Sequence, residues 1–540
     1  MTNMVWWKHG VIYQIYPRSY QDTNGDGVGD LKGINERLDY LTWLGVDAIW
    51  ISPIYPSPMA DFGYDVSDYY NVDPLFGSLQ DSDELVASAH RRGIKVILDF
   101  VPNHTSELHP WFTESRESRS NPKRDWYIWR EGKADGSPPN NWLSQFGGPA
   151  WTFDKKTGQH YLHSFLRQQP DLNWRNPAVR AAMYDVFRFW LDRGVDGFRV
   201  DAIWLLIKDA EFRDNPPNPN FRPTDAGITR LLPVQSADQP ETHDVIAEMR
   251  AVIDCYNDRI LIGEIYLPIE RLVTYYGKDL GGAHLPFNFQ LIHTAWTAPA
   301  IARLVTDYEG ALPPGGWPNW VLGNHDQPRI AARVGAAQAR IAAMLLLTLR
   351  GTPTLYYGDE LGIGKVTISQ EAMQDPWEKN EPGLGLSRDP SRTPFHWDAT
   401  ANAGFSLARP WLPLDPSYKT RNVAALRKDP SSILEFYRRL LSVRRQHAAL
   451  NSGSFRLIGA QGNGLVYERA AEVERIVVCL NFGSAEQPIS MPDFDASAIR
   501  VSTHPDRDGL QRNLVLQPNE GLTILIASEA PKTRRRPCCR

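Results

Sequence analysis

Cysteine is scarce, with four in 540 residues. Cys255 and Cys479 stand alone, and Cys538 and Cys539 are adjacent. No pair has the spacing of a zinc site or a disulfide framework. Cys255 and Cys479 sit in apolar stretches and read as inert core thiols, which suits a reducing compartment. Long apolar runs are also missing. No window reaches the ~18 residues of a membrane span. The chain opens without a basic stretch followed by an apolar one, so no secretory signal is expected and the cytoplasm is the expected location. Charge of one sign is not in excess. There are 58 basic and 63 acidic residues, a net charge of −5. That implies no pull toward nucleic acid or an anionic membrane. The basic run from Arg534 to Arg540 reads as a frayed terminus spanning 531–540. There is no internal repeat and no low-complexity tract.

What remains is an ordinary globular composition, 42% hydrophobic and 22% charged. The length exceeds one compact core, so one large domain and one or two smaller ones are expected. Four segments stand out because each ends an apolar run with a carboxylate. They are Val96-Ile-Leu-Asp-Phe-Val-Pro-Asn-His104, Gly197-Phe-Arg-Val-Asp201, Ile260-Leu-Ile-Gly-Glu264 and Trp320-Val-Leu-Gly-Asn-His-Asp326. Apolar runs without alternation read as strands buried on both faces.

Eight such strands are expected, at 11–16, 48–53, 95–101, 197–201, 260–265, 286–291, 320–323 and 352–357. Helical spacing lies between most of them, at 31–44, 82–92, 179–193, 245–256 and 337–349. Eight alternating units over about 400 residues favour an α/β fold closed as a (β/α)8 TIM barrel. The barrel would occupy 1–104 and 177–450. A Trp-, Pro- and Asn-rich insert at 105–176 follows strand three, and a long loop at 359–428 follows strand eight. After a helix at 433–446, short strands with polar turns predict a C-terminal antiparallel β domain at 451–530.

Charged residues at the C-terminal ends of barrel strands lie where such enzymes keep their chemistry. Cleaving a glycosidic bond needs two carboxyls in different protonation states. Arg199 lies two residues before Asp201, on the same side of the strand, and is expected to hold Asp201 ionised. Glu264 ends an apolar strand, which raises a carboxyl's pKa and suits a general acid/base.

These motifs, in this order, resemble the alpha-amylase superfamily of retaining glycoside hydrolases and transglycosylases. Within it the chain is similar to the alpha-glucosidase and oligo-1,6-glucosidase branch, from about Trp6 to the C-terminal domain. The resemblance implies Asp201 as nucleophile, Glu264 as general acid/base and Asp326 as the residue that grips sugar hydroxyls and distorts the ring. Asp99 would support the pocket. His104 and His325, beside Asn103 and Asn324, would bind hydroxyls of the same sugar. Asp61 and Tyr64 resemble a pocket-closing carboxylate and a stacking tyrosine. Arg392 is the expected partner of Asp61, with Arg388 as its rival. Such a pair would admit only one terminal glucose and make the enzyme exo-acting. Phe146 and Phe165 match aromatic positions of the insert, or simply form its core. Ala202, small and next to the nucleophile, goes with alpha-1,4 preference.

Asp22-Thr-Asn-Gly-Asp-Gly-Val-Gly-Asp30 alternates hard oxygen donors at Asp22, Asn24, Asp26 and Asp30, with the Val28 carbonyl between. Gly27 in sixth place permits a sharp turn, as in an EF-hand loop, although position twelve is Gly33 rather than Glu. A structural Ca2+ or Mg2+ is expected here. The implied activity is release of alpha-glucose from short alpha-glucosides through a covalent glucosyl-Asp201, with transglucosylation to alcohols or sugars. A dedicated glucosyltransferase or sucrose-converting enzyme is the alternative, and an inactive binding subunit a remote one. The expected partners are a small sugar and a hydroxyl acceptor, not nucleic acid or membrane, for a monomer or homodimer.

Overall fold

A computed structural model describes residues 5–472, 474–490, 497–507 and 514–526. The 531–540 tail, with Cys538 and Cys539, lies outside the described residues. Eight parallel strands form one sheet: Ile12–Ile15, Ala48–Ile51, Lys95–Phe100, Gly197–Val200, Ile260–Gly263, Leu285–Pro286, Asn319–Val321 and Thr352–Tyr356. Strand one pairs with both strand two and strand eight. A parallel bridge between Asn288 and Trp320 joins the sixth strand's end to the seventh and closes the ring. Nearly every strand residue is buried, which explains the unalternating apolar runs. Trp50, Ile97, Ile262, Phe287 and Val321 meet inside the barrel. Helices 79–91, 177–192, 242–254 and 339–348 pack outside.

Two expected elements differ. The 31–44 helix is broken into Leu31–Glu36 and Leu38–Leu44. The Arg37 side chain leaves the helix to bond the Gln21 amide oxygen at 2.9 Å and lies 4.1 Å over the Trp397 ring. Strand six is only Leu285–Pro286, and Gln290–His293 is a helical turn. The Asn288 carboxamide accepts from the Gln290 N–H at 3.0 Å and starts that turn. Cys255, read as a core thiol, is exposed just past the helix Thr242–Asp254, whereas Cys479 is buried.

The insert after strand three carries a small sheet of Trp129–Arg130, Gln159–Leu162 and Trp151–Asp154. It is tied to the barrel mouth by a His104–Asp171 bridge. The helix Ile433–Gln446 stands where the spacing placed it. Five antiparallel strands follow, from Ser454–Gln461 to Gly521–Ile526. Gln487–Ile489 and Leu514–Leu516 pair as a second small sheet over their core. Arg469 fastens this domain to the barrel by donating to the Thr348 carbonyl at 2.6 Å. Among the described residues no helix is long and apolar enough to cross a membrane.

Candidate active site

Arg199 is fully buried at the centre of the barrel mouth. Its Nη1 donates to Asp99 at 2.8 Å and to Asp201 at 2.7 Å. Its Nη2 lies 2.7 Å from Glu264, off the line of its N–H bonds, and so makes an ion pair rather than a hydrogen bond. The alternation of strand four puts Arg199 and Asp201 on one side, as their spacing requires. Asp99 also accepts from Trp50 at 3.1 Å and from the Tyr64 hydroxyl at 3.0 Å.

One guanidinium thus serves three carboxylates. Burial raises both Asp201 and Glu264, and Arg199 only partly opposes it. Arg199 does reach Asp201, but it does not keep that group low in the resting pocket as the sequence suggested. Its charge is shared three ways, and burial prevails.

Ala202 follows Asp201 in the left-handed region, at φ 45°. A non-glycine residue held there is strained. The conformation aims its N–H at Glu264, which accepts at 2.9 Å. The strain therefore ties the nucleophile's strand end to the acid/base carboxyl.

Asp326 sits between Arg388 at 3.2 Å, Arg392 at 2.8 Å and His325 Nε2 at 3.2 Å. Burial would raise it, but Arg388 and Arg392 carry the positive charge that outweighs burial and holds its carboxyl below the usual carboxylate range. Burial keeps His325 neutral, with the Gln14 amide donating to its Nδ1 at 2.9 Å. Nε2 is then the protonated nitrogen facing Asp326. Tyr64 stacks flat on His325, with ring centres 5.2 Å apart. Asp326 is the most open of the three acids, at 24% exposure against 10% for Asp201 and 6% for Glu264.

The partner of Asp61 is Arg388, at 2.8 Å, and not Arg392. Arg392 turns to Asp326 and the His325 carbonyl instead. Arg388 is oriented by Asp375, a buried residue that sequence reasoning missed, through its Nε and Nη2. The Asp375-Pro376 pair starting a helix was the available signal. Phe146 lies under Arg388 at 4.7 Å and against Phe165, while Phe165 packs on His104. The two phenylalanines therefore pack between Arg388 and His104.

His104 is buried and its Nε2 faces the Tyr64 carbonyl at 3.0 Å. Behind it Lys208 pairs with Asp171 at 2.7 Å and donates to Asn103 at 2.7 Å. Neither Lys208 nor Asp171 was anticipated, since a lysine in an apolar stretch gives no sign of its partner. Burial lowers Lys208, with Asp171 opposing.

The 22–30 loop stands apart from these acids. Asp22 accepts from the N–H groups of Asn24, Gly25 and Gly27 at 2.8–3.0 Å. Asp26 accepts from Val28 N, and Asp30 caps the following helix through Gly33 N at 2.7 Å. Gly27 has φ 90°, and a Cβ there would lie 2.2 Å from the Arg409 carbonyl oxygen. The donors are all oxygen, the chemistry of a hard cation. Among the described residues, no three acidic, histidine or cysteine side chains converge tightly enough to hold an ion by themselves.

Residues 14–453 match the family model for the alpha amylase catalytic domain. The chain belongs to the alpha-amylase family. A probable alpha-glucosidase of Rhizobium meliloti is 42% identical, covering 90% of this chain and 91% of the relative. An oligo-1,6-glucosidase of Parageobacillus thermoglucosidasius is 38% identical, covering 91% and 92%. The crystal structure of the alpha-glucosyl transfer enzyme XgtA superposes with a TM-score of 0.92 at 40% identity, covering 97% of this chain and all of the other. The chain is a glycoside hydrolase of this alpha-amylase family.

A raised carboxyl in the folded state adds stability that is complete below its unfolded pKa and lost as pH rises through the folded value. Asp201→Asn, neutral throughout, should therefore raise Tm at pH 7 by about 1–3 °C while abolishing turnover. The gap should close below about pH 4, where Asp is protonated in both states. Calorimetry across pH checks this. A lower Tm at pH 7 would mean that the Arg199 contact outweighs burial.

Proposed function

We propose that this enzyme is a retaining, exo-acting alpha-glucosidase that releases alpha-glucose from the non-reducing end of short alpha-glucosides. The observation that carries the reading is the pair of buried carboxylates, Asp201 and Glu264, on neighbouring strand ends and sharing Arg199. Asp201 attacks the anomeric carbon as Glu264 gives its proton to the leaving oxygen. A covalent glucosyl-Asp201 results. Glu264, now ionised, draws a proton from the incoming hydroxyl, which displaces Asp201 with a second inversion. As charge leaves Asp201, Arg199 turns toward Asp99 and Glu264, which steadies Glu264 in its basic form. Asp326, held anionic, grips ring hydroxyls beside the neutral His325.

Exo action rests on the Asp61–Arg388 pair, which spans the end of the pocket and is braced against Asp326. A longer chain would have to break a buried ion pair. Ala202, the small residue beside Asp201, supports an alpha-1,4 preference. The exposed thiol of Cys255 suits a reducing cytoplasm.

A second reading, glucosyl transfer to an alcohol or sugar, is favoured by one feature. Tyr266, two residues past Glu264, stacks on Phe289 with ring centres 4.3 Å apart and planes 5° apart. An aromatic platform beside the acid/base favours ring-shaped acceptors over water. The resemblance to XgtA, named as an alpha-glucosyl transfer enzyme, supports the same reading.

The oxygen-only 22–30 loop is proposed to take a structural Ca2+ or Mg2+. Asp22, Asn24, Asp26, Asp30 and the Val28 carbonyl would hold it, and its charge would stiffen the turn against the 405–411 segment.

With p-nitrophenyl alpha-glucoside, whose leaving group is not a sugar, NMR should show the α anomer of glucose first. Initial β-glucose would mean inversion and overturn the two-step reading. EDTA should lower Tm, and Ca2+ or Mg2+ should restore it. An unchanged Tm would leave the loop as a self-sufficient turn.

A further inference from the structure

The turn that carries Asp61 is strained. Met59 and Phe62 both adopt left-handed backbone, at φ 64° and 50°, and Gly63 follows at 110°. Neither Met nor Phe has a local side-chain reason to sit there. Something must over-determine the turn.

Asp65 does so. Its side chain is completely buried, and among the described residues no cation is paired with it. Oδ1 accepts from the Asp61 N–H at 3.0 Å and from the Ser57 hydroxyl at 2.8 Å. Oδ2 accepts from the Ala60 N–H at 2.9 Å. Ser57 Oγ in turn accepts from the Met59 N–H at 2.9 Å. Three consecutive N–H groups therefore end on Asp65, directly or through Ser57. The turn they fix delivers Asp61 to Arg388.

An unpaired buried carboxylate is costly. Burial pushes Asp65 up to about 6, against its two backbone donors and Ser57. A carboxylate retained there without touching the sugar pocket calls for a use. We infer that Asp65 is a positioning residue, which locks the 57–65 turn so that Asp61 meets Arg388 and closes the pocket. This rests on the exo-acting reading above. The amide of Asn cannot replace it, because both oxygens accept from N–H groups and an NH2 would face one of them.

The test is a double-mutant cycle with p-nitrophenyl alpha-glucoside and maltose on wild type, Asp61→Ala, Asp65→Asn and the double variant. Asp65→Asn should raise KM about tenfold and change kcat less than about threefold. In the Asp61→Ala background the same change should add almost nothing, within about twofold. An unchanged KM, or a loss that multiplies in both backgrounds, would overturn the proposal. A merely structural residue would give that multiplied loss. If Asp65→Asn fails to fold, Ser57→Ala loosens the same hub. It should give a smaller KM rise that also vanishes without Asp61, and an unchanged KM would overturn the inference. Should wild type turn over neither substrate, the glucosidase reading falls. The same cycle on the Kd of 1-deoxynojirimycin then decides the role of Asp65 without turnover.

Discussion

The site depends on one guanidinium. Among the described residues Arg199 is the only cation in direct contact with Asp99, Asp201 and Glu264, and all four groups are buried. Burying three carboxylates around one positive charge leaves the cluster short of compensation. That shortage raises the acids and makes them ready to share protons. It also makes the cluster expensive, and the rest of the structure bears the cost. The barrel strands supply apolar burial on both faces. Trp50 and Tyr64 supply the two further hydrogen bonds to Asp99.

A second charge cluster, around Asp326, has the opposite balance. Arg388, Arg392 and His325 surround that acid, with Asp61 and Asp375 sharing Arg388. Asp326 is therefore held anionic while Asp201 and Glu264 are pushed toward protonation. Carboxyls driven apart in this way can take different roles in one pocket. In the proposed mechanism Glu264 does the proton chemistry, Asp201 attacks in its ionised form beside Arg199, and Asp326 in the second cluster grips the sugar. Local strain at Ala202 and at Met59–Gly63 adjusts each half, the first toward Glu264 and the second toward Arg388.

Much of this was legible in the sequence because a parallel strand inside a barrel leaves a plain mark. The apolar runs ending in Asp99, Asp201, Glu264 and Asp326 placed the strand ends and the acids together. Strand six was read too long, since Pro286-Phe-Asn-Phe-Gln is apolar enough for a strand while Asn288 in fact starts a helical turn. Pairings across long separations were the blind spot. Arg388 and Arg392 are one helical turn apart, and only the fold decides which meets Asp61. The Lys208–Asp171 pair was invisible for the same reason. Arg199 was credited to Asp201 alone, whereas it is shared with Asp99 and Glu264.

The central claim is that Asp201, not a neighbour, carries the sugar. The most direct measurement uses 5-fluoro-alpha-glucosyl fluoride, which slows release of the intermediate. Peptide mass spectrometry of the treated enzyme then locates the adduct. One fluoroglucosyl group on the peptide containing Asp201 is the predicted result. An adduct on the Glu264 or Asp326 peptide, or turnover with no adduct at all, would contradict it.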